Sequence, residues 1–138
     1  MTEIPLGRLA AGYALTALVF FAIDLVWLGL VARDVYGRFL GHLLADDVNW
    51  VAAIVFYLLF IVGIFIFAIV PGVVRESATH AVLMGALFGF FTYATYDLTN
   101  LATLEGWPVG IVFIDIAWGI VLTGSVALAG YHIMSWLG

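Results

Sequence analysis

Three aspartates stand inside otherwise apolar stretches: Asp24 in "AIDLVWLGL", Asp97 in "YATYDLTNL" and Asp115 in "FIDIAWGIV". A carboxyl group in such a setting can act as general acid or base, share a proton with a second carboxyl, or hold a cationic group. Two of the three have an indole at the third following position, Trp27 and Trp118. Around Asp97, Asn100 falls on the same helical face at i+3, Tyr93 lies one turn back and Tyr96 is adjacent. Asp24, Asp97 and Asp115 are therefore the candidate acid/base or cation-binding groups. Trp27, Tyr93, Tyr96, Asn100 and Trp118 are the candidate ligand contacts.

The rest of the chain narrows the chemistry. No cysteine is present, which removes disulfides, iron-sulfur clusters, covalent haem attachment and thiol catalysis. No lysine is present either, so no Schiff base to retinal or pyridoxal phosphate can form. The sequence has no HExxH-like metal motif and no nucleophile-base constellation. His80 and His132 agree only in depth, which is too little for a bis-histidine haem, so neither metal nor cofactor is expected. The formal net charge of -5 contains no basic run, and no nucleic-acid partner is expected.

These residues must be positioned by membrane helices. Of 138 residues, 66% are hydrophobic and 9% charged, far from the roughly 25% charged residues of a soluble domain. Four apolar stretches, 9–31, 48–70, 78–103 and 109–134, are each about as long as the roughly 20 residues that cross a bilayer. The first is too long and lacks the small-residue cleavage site of a removable signal peptide, so it is read as a span. The expected fold is a single all-α integral membrane domain over 1–138, with four transmembrane helices in an antiparallel bundle. Between the first two spans, Val35, Tyr36, Phe39, Leu40, Leu43 and Leu44 share one face, predicting an amphipathic interfacial helix over 34–45 lying apolar side down. Asp46 or Asp47 is the expected cap of the second span and Ser77 or Thr79 that of the third. Pro71-Gly72 is expected to end the second span, which reads as a lipid-facing strut. Trp50, Trp107 and Trp136 read as an interfacial belt.

Asp24 lies nine residues before Arg33, Asp97 eight before Glu105 and Asp115 seven after Pro108. At about 1.5 Å per residue, all three sit roughly 10 to 14 Å below one membrane face. Each also ends a stripe of every fourth residue: Gly12, Thr16, Phe20, Asp24; Ala81, Gly85, Gly89, Tyr93, Asp97; and Asp115, Gly119, Thr123, Ala127. Small residues at that spacing let membrane helices approach closely, which turns the acids inward. The first span runs toward the acid face and the fourth away from it. Trp27 is thus shallower than its aspartate and Trp118 deeper, an indole on either side.

An aspartate at a helix centre costs about 2.5 to 3.5 kcal/mol to insert. The acids must therefore be kept protonated, share protons through Asn100, Tyr93 and Tyr96, pair with Arg33 and Arg38 on the same face, or hold a cation.

The segments "DLVWLGLVARDVYGRFLGHLL", "GFFTYATYDLTNLATLEGWP" and "DIAWG" together resemble a family of small bacterial membrane proteins, domain of unknown function 2177, over nearly the whole chain. The resemblance implies a four-span, multi-pass protein of the bacterial inner membrane.

Three functions fit this reading. In the first, a membrane-embedded three-carboxylate site binds or modifies a lipid-soluble ligand, a lipid or isoprenoid, with Trp27 and Trp118 as walls. In the second, a homodimer acts as a small proton- or cation-coupled transporter. In the third, the chain is a structural membrane subunit whose acids bond across helices.

Overall fold

A computed structural model describes residues 3–138, and among these every regular element is helical. Helix α1 (Leu6–Val26) passes through a π-helical stretch (Trp27–Ala32) into α2 (Arg33–Leu40). After an irregular connection, α3 (Trp50–Ile64) runs through a second π stretch (Phe65–Ile69) into α4 (Val70–Val74), followed by α5 (Ala78–Thr103) and α6 (Val109–Leu137). The four continuous helical runs, Leu6–Leu40, Trp50–Val74, Ala78–Thr103 and Val109–Leu137, are all long and apolar enough to cross a membrane.

Each run starts and stops for a local reason. Asn49, rather than Asp46 or Asp47, caps α3, its side-chain oxygen accepting from the Ala52 N–H at 3.1 Å, because the helix begins at Trp50 and not at Val48. Ser77 caps α5, accepting from the His80 N–H at 3.0 Å. Pro71-Gly72 does not end the second run, which continues to Val74. Proline lacks the N–H and crowds the carbonyl four residues back, and the π stretch immediately before it loosens the helix there. The run stops instead at Glu76, whose left-handed φ of 52° turns the chain toward Ser77.

The amphipathic segment also differs from expectation. It is helical only over Arg33–Leu40, as α2, which continues directly from the π stretch after α1. Its apolar residues Val35, Tyr36, Phe39 and Leu40 cluster with Trp107, Ile111, Val112 and Ile116. They pack on α6, not down into the lipid interface. A straight run of 35 residues would be about 52 Å long, well beyond the roughly 30 Å hydrocarbon layer. Trp27 and Tyr36, nine residues apart, would lie on opposite faces of a straight α-helix and about 13.5 Å apart along it. Their rings instead meet edge to face with centroids 6.5 Å apart, because the wider winding of the π stretch Trp27–Ala32 brings Tyr36 round toward the face that carries Trp27.

All three stripes of every fourth residue are buried, apart from half-buried Tyr93: Gly12 to Asp24 on α1, Ala81 to Asp97 on α5, and Asp115 to Ala127 on α6. The tightest approach is between α5 and α6. A Cβ on Gly85 would come within 2.8 Å of the Thr123 carbonyl oxygen, and one on Gly89 within 2.8 Å of both the Gly119 carbonyl carbon and the Thr123 side chain. Gly89→Ala is expected to destabilise the fold by about 1 to 3 kcal/mol through overpacking. Gly7→Ala, where an added Cβ meets nothing within 4 Å, should leave thermal unfolding in detergent unchanged or slightly raised.

Candidate functional site

At the end of the molecule that carries the connections 41–49 and 104–108, a pocket of about 490 Å³ opens between the helices. Asp24 from α1, Asp97 from α5 and Asp115 from α6 all line it. Their helices reach this point by different contacts. Phe20, one turn before Asp24, packs edge to face on Tyr57 and Phe60 of α3. Asp97 and Asp115 follow from the glycine contact, two turns beyond Gly89 and one turn before Gly119 respectively, and they lie close enough to feel each other's charge.

The three carboxyl groups have unequal surroundings. Asp115 accepts a hydrogen bond from the Tyr36 hydroxyl, delivered by α2. The Tyr57 hydroxyl and the Trp118 indole lie near Asp24. Asp97 has no exposed surface, 0%, and no hydroxyl or N–H donor of the protein reaches either of its oxygens; the group within hydrogen-bond reach of it is the Asp115 carboxyl, with which it can share a proton. The neighbouring threonines show how polar groups on this helix are otherwise accommodated. Thr92 donates to the Phe88 carbonyl at 2.8 Å, Thr95 to Phe91 at 2.6 Å and Thr103 to Thr99 at 2.7 Å, each within its own helix. A carboxylate has no proton to donate in that way.

Of the other candidates, Trp27, Tyr93, Tyr96 and Trp118 line the pocket. The two indoles do not stand on opposite sides: they stack on each other, centroids 4.3 Å apart and 6° from parallel, forming a single wall. Asn100 is half-buried but is not part of the lining. Arg33 and Arg38 are exposed and outside the pocket, so its lining contains no arginine to pair with the acids.

Six aromatic or polar residues of the lining lay beyond sequence reasoning. Tyr36 holds Asp115, a contact that depends on the register set by the π stretch. Phe56, Tyr57 and Phe60 make the second span a wall of the pocket, not a lipid-facing strut. Trp107, expected in an interfacial belt, is 9% exposed, lines the pocket and has an unpartnered N–H. Thr92 completes the α5 side. The lone tyrosine in the second span was the one available signal.

Four apolar runs of membrane-crossing length around an acid-lined pocket define a multi-pass membrane protein. A family model described as "Predicted membrane protein (DUF2177)" matches residues 9–132, and the chain belongs to that family. No curated protein and no solved structure matches it.

The lack of a donor at Asp97 has a measurable consequence. A buried acid kept only for structure would lose stability on replacement, whereas one maintained for a ligand costs stability while the pocket is empty. Asp97→Leu is expected to raise the stability of the delipidated protein by about 1 to 3 kcal/mol, read as an increased Tm in detergent.

Proposed function

We propose that this protein binds or modifies a lipid-soluble molecule, a lipid or isoprenoid, in the pocket between its helices, and that it does so in the bacterial inner membrane. The observation that carries this reading is Asp97, fully buried with no hydroxyl or N–H donor on either oxygen and facing a second acid, Asp115, in the wall of a cavity of about 490 Å³. Cavities of roughly 300 to 1,000 Å³ are of a size to hold small organic ligands. Leu28, Leu40, Leu44 and Ile111 give the lining apolar surface, while the acids, tyrosines and indoles give it polar points that fix orientation.

The antiparallel arrangement assumed here is supported by the order of the contacts, for Gly85 meets Ala127 and Gly89 meets Gly119 as numbers rise on one helix and fall on the other. The unequal surroundings of the acids support distinct roles. Asp115, engaged by the Tyr36 hydroxyl, is a fixed acceptor, and Asp97, which faces only the carboxyl of Asp115, is the group left to exchange a proton or contact with the ligand. Segment α2, attached through the π stretch and bearing Tyr36 and Leu40, forms the cover.

Mild-detergent purification followed by solvent extraction and mass spectrometry is expected to recover one lipid-soluble species from the wild type and not from Asp97→Asn. An empty wild-type pocket, or equal recovery from both proteins, would overturn the proposal.

A further inference from the structure

Resting on the ligand-binding reading just given, we infer that the ligand is an amphiphile carrying a cationic nitrogen with N–H donors, an alkylammonium group seated among Asp24, Asp97 and Asp115. The pocket has three carboxyl groups in its lining and neither arginine nor histidine to balance them. No hydroxyl or N–H donor of the protein reaches the oxygens of the fully buried Asp97, which faces the carboxyl of Asp115, and two facing acid groups are held together better by a cationic donor from a ligand than by each other. Charge-assisted hydrogen bonds to a carboxylate are roughly twice as strong as neutral ones, so an ammonium fills this need better than an alcohol.

A single chelated metal ion fits less well. Among the described residues, no three acidic or imidazole side chains are grouped closely enough to hold one. Carboxyl groups spread over one cavity suit an organic cation, which is larger and presents several N–H bonds at once. The aromatic lining points the same way. Tyr36, Tyr57, Tyr93, Trp107 and the stacked pair Trp27 and Trp118 surround the acids, and the faces of such rings attract ammonium groups. The Trp107 and Trp27 N–H groups, both buried without a partner, supply donors for an oxygen next to the nitrogen in the headgroup. The apolar side chains of Leu28, Leu44 and Phe56 receive the hydrocarbon.

The test titrates the full-length protein in a neutral maltoside detergent with n-octylammonium and with n-octanol, read by intrinsic tryptophan fluorescence and by calorimetry. Both probes have the same chain and both donate hydrogen bonds, so they differ in charge. Octylammonium is expected to bind saturably and about tenfold or more tighter than octanol. Asp97→Asn and, separately, Asp115→Asn should reduce that preference while octanol still binds, which also shows that the variants are folded. Glu105→Gln, an exposed position outside the pocket, should keep the preference. Octanol binding as tightly as octylammonium would overturn the cationic assignment and leave the lipid-ligand reading standing. A preference unchanged in both Asp variants would overturn it as well, since the charge would then act from elsewhere. Saturable binding of neither probe would bring down both.

Discussion

Where α5 meets α6, Gly89 lies against the Gly119 backbone, Gly85 against Ala127 and the Thr123 carbonyl, and Gly119 against the Tyr93 side chain, and the pocket lies along the line of that approach. In lipid there is little hydrophobic force to press helices together, so close backbone contact is what holds them. The helical repeat then carries the contact to the acids. Asp97 lies two turns past Gly89, and Asp115 one turn before Gly119. A side chain inserted at any of these glycines would spread the helices and separate the two carboxyl groups. Packing and polarity are thus one constraint here: the smallest residues are needed where they stand because acidic ones must meet farther along.

The polar groups of the membrane region fall into two kinds. The α5 threonines return their protons to carbonyls of their own helix and ask nothing of their surroundings. The aspartates face other elements: Asp115 meets Tyr36 of α2, Asp24 lies near Tyr57 of α3 and Trp118 of α6, and Asp97 faces Asp115 of α6.

The sequence made some of this legible and concealed the rest for physical reasons. Hydropathy and the period of four revealed the spans and the inward faces of α1, α5 and α6, since Gly12, Thr16, Phe20 and Asp24 remain in register along a regular helix. Counting rise per residue put the three acids at one depth, and all three line one pocket. What escaped was whatever depends on departure from regular winding or on contacts between distant segments. Tyr36 appears on the wrong face if α-helical geometry is continued through Trp27–Ala32. Tyr57 and Trp107 belong to stretches whose composition suits lipid or its interface equally well, so only their packing partners reveal them. Arg33 and Arg38 were attractive as counter-charges by proximity in the chain, but they are exposed outside the pocket.

The π stretch between α1 and α2 carries one more consequence, which concerns chain length and not side-chain identity. A π turn closes on i→i+5 and so holds about one residue more than an α turn; loss of a single residue between Trp27 and Ala32 would be absorbed by a return to α winding, whereas gain of one would rotate everything that follows by about 100°. Tyr36 would then swing away from Asp115, and the face bearing Phe39 and Leu40 would leave α6. Many substitutions and a one-residue deletion could be absorbed in this segment, whereas a one-residue insertion could not. The upper limit on the spacing between Asp24 and Tyr36 is therefore as much a part of the site as the two side chains themselves.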